Sequence, residues 1–223
     1  TESDPIMGAE ICPWKNCSKC AVSISVDDTF TSCSEELNSH GYKGTFFLSN
    51  TNTYSIQHWN ELNTLFNYGH ELSSHTQDHL CTTVSDSLFI ENIEKNIIDI
   101  TSHTSATRKD IISYAHPCGI NSQNITAILK NNNNGKWNFI SARGYHFNTL
   151  EKKTPTDIYN LKSINSHGYP GGILEPPDYF MLVNKTEKQG DWLNLVFHVE
   201  CDDDGVINYL PKKDLWVDTI GNV

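Results

Sequence analysis

The chain has 223 residues, enough for one domain with a substantial core, and its 37% hydrophobic and 19% charged content is that of a folded protein, not a disordered one. A formal net charge of −11, with Lys152-Lys153 and Lys212-Lys213 only as isolated basic pairs, argues against a nucleic-acid backbone as partner. No run approaches the ~18 consecutive apolar residues that a membrane span requires.

The chain opens on polar residues without an initiator Met, as after removal of a signal peptide or in a piece of a longer protein. Seven cysteines (Cys12, Cys17, Cys20, Cys33, Cys81, Cys118 and Cys201) point to an oxidising compartment, and their odd number leaves at least one thiol unpaired within the chain. Cys12 and Cys17-x-x-Cys20 have no second ligand pair at finger spacing, so disulfides or buried thiols are favoured over a structural zinc site. Sequons at Asn16, Asn124 and Asn184 agree with secretion. Residues 1–20 read as a Cys-containing extension packed on a single domain over 21–223.

In chain order, Ala21 to Val26 is a predicted strand with Val22, Ile24 and Val26 on one face. A short helix over Ser34 to Ser39 closes at Gly41, and Gly44 to Leu48 is a second buried strand. Trp59, Leu62 and Phe66 share the buried stripe of a helix over Ile56 to Phe66, which Gly69 stops. A strand follows at Glu71 to Ser74, then a helix over Ser87 to Thr101 with Ile90, Ile93, Ile97 and Ile100 inward. Next come a strand at Ile111 to Tyr114, a helix near Ser122 to Lys130, an exposed loop at Asn131 to Gly135 and a strand at Asn138 to Ala142. Thr156 is read as the cap of a helix from Asp157 to Ile164. Leu193 to Val199 is a late strand, and Asp214 onward a terminal helix with Trp216, Ile220 and Val223 in line, a pattern still running where the chain stops. The alternation predicts an α/β fold, a distorted (β/α) barrel of about seven strand–helix units with its site at the strand C-terminal ends.

Four segments at predicted strand ends carry chemistry. Asp27-Asp28 leave the first strand as adjacent carboxylates pointing different ways, so one can bind a metal while the other acts as a base. His75 and His79, four apart in His75-Thr76-Gln77-Asp78-His79, can meet one metal, and with one carboxylate they leave a coordination position open, as a catalytic zinc requires. The glutamate that metalloproteases carry beside the first histidine is absent. His116-Pro117-Cys118-Gly119 is a tight turn able to aim backbone N–H groups at a site. Leu195-Val196-Phe197-His198 is an apolar strand ending in a histidine. Tyr145, Trp192 and Tyr169 are candidates for lining a sugar cleft, and Asp202-Asp203-Asp204-Gly205 reads as a solvated turn because no bidentate Glu follows it.

In this order and spacing the segments resemble the polysaccharide deacetylase family, also called the NodB-homology or carbohydrate esterase 4 family, over Ala21 to Val223. Ser25-Val26-Asp27-Asp28 is similar to its Asp-Asp motif, Gly44 to Leu48 to its second strand, His75-Thr76-x-x-His79 to its metal motif and Leu195 to His198 to its last motif. The resemblance implies that Asp28, His75 and His79 bind Zn²⁺, with Co²⁺ or another divalent ion as alternatives. It further implies Asp27 as general base, His198 as acid to the leaving group and the Cys118 N–H as an oxyanion donor. Where many members have Arg-x-Pro, this chain has Ala115-His116-Pro117; it looks like the subgroup in which an Arg from the next strand holds the base, here Arg143. The Asp-x-x-Asp-Trp element that tunes the acid histidine in many members is missing.

The expected activity is hydrolysis of N-acetyl groups on N-acetylglucosamine-containing polysaccharide by metal-activated water, in a secreted or cell-surface protein, favoured as a monomer. An O-acetyl esterase on acetylated xylan and a catalytically weak glycan-binding pseudo-deacetylase remain open. A metal-free glycosidase is disfavoured, because adjacent aspartates do not flank one glycosidic bond.

Overall fold

The computed structural model describes residues 11–28, 33–131, 135–146, 149–165, 176–198 and 205–223. Its strands are β1 (Cys20–Asp27), β2 (Thr45–Leu48), β3 (Glu71–Ser74), β4 (Ser113–Ala115), β5 (Ser141–Arg143), β6 (Ile164–Asn165), β7 (Trp192–Phe197) and β8 (Leu215–Val217). They form one parallel sheet in the order β5-β4-β3-β2-β1-β7-β6, with β8 beside the first half of β1. The sheet curls until its ends meet: Leu161 N donates to Ala142 O at 2.8 Å, Gly144 N to Leu161 O at 2.9 Å and His146 N to Ser163 O at 2.9 Å. This is the expected distorted barrel.

The helices are α1 (Cys33–Ser39), α2 (Ile56–Asn67), α3 (Asp86–His103), α4 (Gln123–Lys130), α5 (Pro176–Gln189) and α6 (Val206–Tyr209). Ser55, Ser85 and Ser122 cap α2, α3 and α4 by accepting from the N–H groups of His58, Leu88 and Ile125, which satisfies donors that a helix start leaves orphaned. Trp59 and Leu62 of α2 and Ile93, Ile97 and Ile100 of α3 meet Val22, Ile24, Val26, Phe46, Leu48 and Leu72 of the sheet in one core cluster.

The two-residue period of the strands sends the opposite set of side chains into the barrel. From β1 these are Ala21, Ser23, Ser25 and Asp27, and from β3 Glu71, Ser73 and, just past its end, His75. The interior is therefore small and polar. Ser25 Oγ donates to Leu195 O, Ser73 Oγ to Ser113 O, and Trp192 Nε1 to Ser23 Oγ. Ala21, Phe47, Ala115, Trp192 and Ile220 supply its apolar contacts, with Trp14 and Trp216 packed on them.

Two predicted helices are corrected. The 157–164 segment is a single 3-10 turn at Ile158–Asn160, followed by the extended residues that close the barrel and by β6. The terminal segment is β8, whose Leu215, Trp216 and Val217 pair with Cys20, Ala21 and Val22; the spacing of Trp216, Ile220 and Val223 imitates a helical period while the open edge of β1 takes the segment as a strand. Neither α5 nor α6 was foreseen. Tyr169 and Asp202 to Asp204 lie outside the described residues.

Candidate active site

The top of the barrel gathers Asp27, His75, His79, His116, Cys118, Gly119, Arg143, Tyr145, Asn165, Val196 and His198 around one cleft of about 550 Å³, open solvent included. Asp27 is the last residue of β1 and Asp28 the next. Asp27 is buried, and Arg143 Nη2, arriving from the end of β5, donates to its Oδ1 at 2.5 Å. Its Oδ2 faces His75 Nε2 at 3.6 Å and His198 Nε2 at 3.8 Å. Burial raises the Asp27 pKa, but Arg143, His75 and His198 together outweigh it and leave the carboxyl below its ordinary value of 3.8. The Arg143 guanidinium carbon lies 4.9 Å from the centre of the Phe47 ring, so its orientation is set by a cation–π contact as well as by the carboxylate.

Asp28, His75 and His79 each offer one ligand atom within 4.8 Å of the others. His75 Nδ1 lies 2.9 Å from Ala115 O, an acceptor, so the ring proton belongs on Nδ1 and the Nε2 lone pair is left for a cation. Ser49 Oγ donates to Asp28 Oδ1, leaving Oδ2 facing His79 Nε2 at 3.7 Å. One carboxylate oxygen and two imidazole nitrogens, with an outer partner on Asp28 and on His75, form a donor set suited to Zn²⁺ or a similar divalent ion.

The backbone there is forced. Asp28, Asn50, Thr76, His79 and Cys118 all have positive φ, at 62°, 49°, 62°, 47° and 52°. For a β-branched residue such as Thr76 this is a genuine outlier, and such positions cost about 1–3 kcal/mol each and collect at functional sites. A disulfide between Cys81 and Cys118 ties the His79 loop to the turn after β4. A second joins Cys12 to Cys17, which removes the zinc alternative considered for that cluster, and Cys20 is the buried free thiol among the described residues.

The geometry thus brings Asp27, Asp28, His75, His79, Arg143, Cys118 and His198 to one place. Tyr145 lines the cleft; Trp192 does not, being buried inside the barrel against Ser23. Ser49, the Ala115 carbonyl and His116 were not identified from sequence. His116 stands beneath the cleft with Nε2 on Tyr159 O at 3.0 Å, and burial lowers its pKa to about 4, so it is neutral. Its place within Ala115-His116-Pro117 was the available signal. His70, the other histidine of the third-strand segment, is structural: it accepts from Gly44 N at 3.1 Å, and burial, followed by nearby Lys43, lowers its pKa to about 4.

Solved structures share this fold at low identity. Bacillus subtilis PdaA, a family 4 carbohydrate esterase, is 15% identical with a TM-score of 0.60, over 91% of this chain and 79% of that one. The Xyl-CE4 domain of a multidomain xylanase from the hindgut metagenome of Trinervitermes trinervoides is 13% identical with a TM-score of 0.62, over 91% and 88%. A CE4 family pseudoenzyme from Bacillus anthracis is 13% identical with a TM-score of 0.60, over 91% and 64%. No curated protein matches. The sequence model of the polysaccharide deacetylases matches residues 16–135, more than half of the chain and both metal-motif segments, and the chain belongs to the polysaccharide deacetylase family.

Proposed function

We propose that the protein is a metal-dependent deacetylase that hydrolyses N-acetyl groups on N-acetylglucosamine-containing glycans. The observation that carries the reading is the convergence of Asp28, His75 and His79 beside a buried Asp27 pinned by Arg143, at the mouth of an open cleft. Asp28, His75 and His79 would hold a divalent cation, which when bound would supply Lewis-acid chemistry toward water and the acetyl carbonyl. Asp27 takes the proton of the attacking water on Oδ2, the oxygen that Arg143 leaves open. His198, whose Nε2 faces the same Oδ2 from across the cleft, delivers a proton to the departing amine. The Cys118 N–H, on the turn after β4, donates to the oxyanion, a contact whose loss typically costs about 3 kcal/mol. Tyr145 offers an aromatic face to the sugar.

The likeness to a xylanase-linked domain supports a second reading within the same site, an O-acetyl esterase, whose leaving group needs less help from His198. The two disulfides among the described residues support work in an oxidising compartment outside the cell. The test is acetate release from chitooligosaccharides and acetylated xylan by protein loaded with Zn²⁺ and by protein stripped with a chelator. Metal-dependent release from the chitooligosaccharides is expected. Release from xylan alone would favour the esterase, and glycan binding without acetate under any metal would overturn the enzyme reading.

A further inference from the structure

His79 faces two different ligand sets with its two ring nitrogens. Nε2 points to Asp28, while Nδ1 lies 3.4 Å from Cys81 Sγ. His79, Cys81 and Cys118 form a second group whose ligand atoms all lie within 4.8 Å of one another. As the Cys81–Cys118 disulfide, the two sulfurs are poor ligands, and the group is silent. Cys118 is exposed and Cys81 half-buried, so an external reductant can reach the bond. The Cα atoms are 5.3 Å apart, close enough for both sulfurs to stay on one side of the imidazole after the bond is cut.

We propose that the Cys81–Cys118 disulfide masks a thiophilic metal site, made by both thiolates and His79 Nδ1, whose use excludes the site made with Asp28 and His75. A dithiol reductant supplies two electrons and two protons: the Sγ–Sγ bond breaks, two thiols form, and the reductant leaves as its own disulfide. A soft divalent ion then binds with release of the two thiol protons, giving a Cys₂His set with a fourth position for solvent. Exclusion follows from the imidazole itself. A neutral ring has one lone pair, so coordination at Nδ1 places the proton on Nε2 and withdraws that nitrogen from Asp28 and His75. Oxidation state thereby decides which metal set owns His79. The exclusion rests on the proposed catalytic metal set; the thiolate site does not.

The test uses the whole chain, stripped of metal, with disulfides either intact or reduced by a phosphine, and Cd²⁺ as the thiophilic probe. Reduced protein is expected to bind Cd²⁺ with a thiolate-to-metal charge-transfer band stronger than that of reduced C81S/C118S, and more tightly. His79→Ala is expected to weaken the affinity read from that band at least tenfold. A second measurement needs no variant: Cd²⁺ should protect Cys81 and Cys118 of the reduced chain from iodoacetamide, read by peptide mapping. Equal charge-transfer absorption and equal affinity in the two reduced proteins, or no protection, overturns the thiolate site; an affinity indifferent to His79→Ala overturns the sharing. Co²⁺ absorption from the Asp28, His75 and His79 set should be present with disulfides intact and lost when Cd²⁺ enters the reduced protein. Its absence from the intact protein alone would count against the catalytic reading, while the Cd²⁺ arms still decide the masked site.

Discussion

Asp27 and Glu71 are both buried carboxylates pointing into the same barrel, one at each end, and their environments push them in opposite directions. At the top, burial raises Asp27, but the Arg143 guanidinium first, with His75 and His198 beside it, brings the carboxyl below its ordinary value. At the bottom, Glu71 is surrounded by neutral donors: Ser113 and Thr45 hydroxyls, the Gly221 N–H at 2.9 Å and Thr219. These lower its pKa less than burial raises it, so Glu71 lies above its ordinary value of 4.5. The bottom end is a latch. Glu71 holds the C-terminal segment through the Gly221 N–H, at a place where a Cβ on Gly221 would lie 2.5 Å from Ile112 Cδ1. Burial alone does not single out a candidate base; burial against fixed positive charge, beside an open cleft, is what supports the role proposed for Asp27.

The comparison is broken most forcefully at the top. Asp27→Asn should lower acetate release on the order of 10²–10⁴-fold, read as kcat/KM on chitooligosaccharide, and also reduce stability in urea because Arg143 is left buried without a counter-charge. Ser49→Ala frees Asp28 Oδ1 and should weaken metal binding about 10–100-fold, measured by calorimetry, with a smaller loss of activity at saturating metal. Arg143→Met removes the charge that keeps Asp27 ionised, so the acidic limb of the kcat/KM profile should move to higher pH, with Arg143→Lys between it and the parent.

The smallest effect sharpens the contrast at the bottom. A raised carboxyl is protonated more readily in the folded than in the unfolded chain. Glu71 therefore contributes most below 4.5, and stability is lost as pH rises through its folded pKa. Asp27 has the opposite sign: its contribution is present above 3.8 and lost on acidification through its lowered folded pKa. Glu71→Gln should flatten the fall in urea stability with rising pH and leave acetate release at neutral pH unchanged.

Much of this architecture was readable from residue order. Val22, Ile24 and Val26 alternate with Ser23, Ser25 and Asp27, which gives β1 a helix-facing side and a barrel-facing side and aims Asp27 inward. The helices α2 and α3 carry apolar stripes of helical period and serine caps. The errors fall where local pattern is weak or borrowed: β8 is three residues claimed by a free strand edge, β6 is two residues, and α5, which begins on Pro176-Pro177, was not foreseen. At the site, spacing and family resemblance placed His75 and His79 together, but the partners that orient the proposed ligands come from elsewhere in the chain. Ser49 follows β2, and the Ala115 carbonyl lies across a β-ladder from His75; neither leaves a local trace. The Cys81–Cys118 pairing has the same origin, since seven cysteines permit many pairings and only the barrel decides among them.

The central claim is tested most directly by calorimetric titration of the chelator-stripped, disulfide-intact protein with Zn²⁺. One equivalent should bind, and Asp28→Ala, His75→Ala and His79→Ala should each weaken it at least tenfold. No uptake by the parent chain, or Asp28→Ala binding as tightly as the parent, would contradict the account.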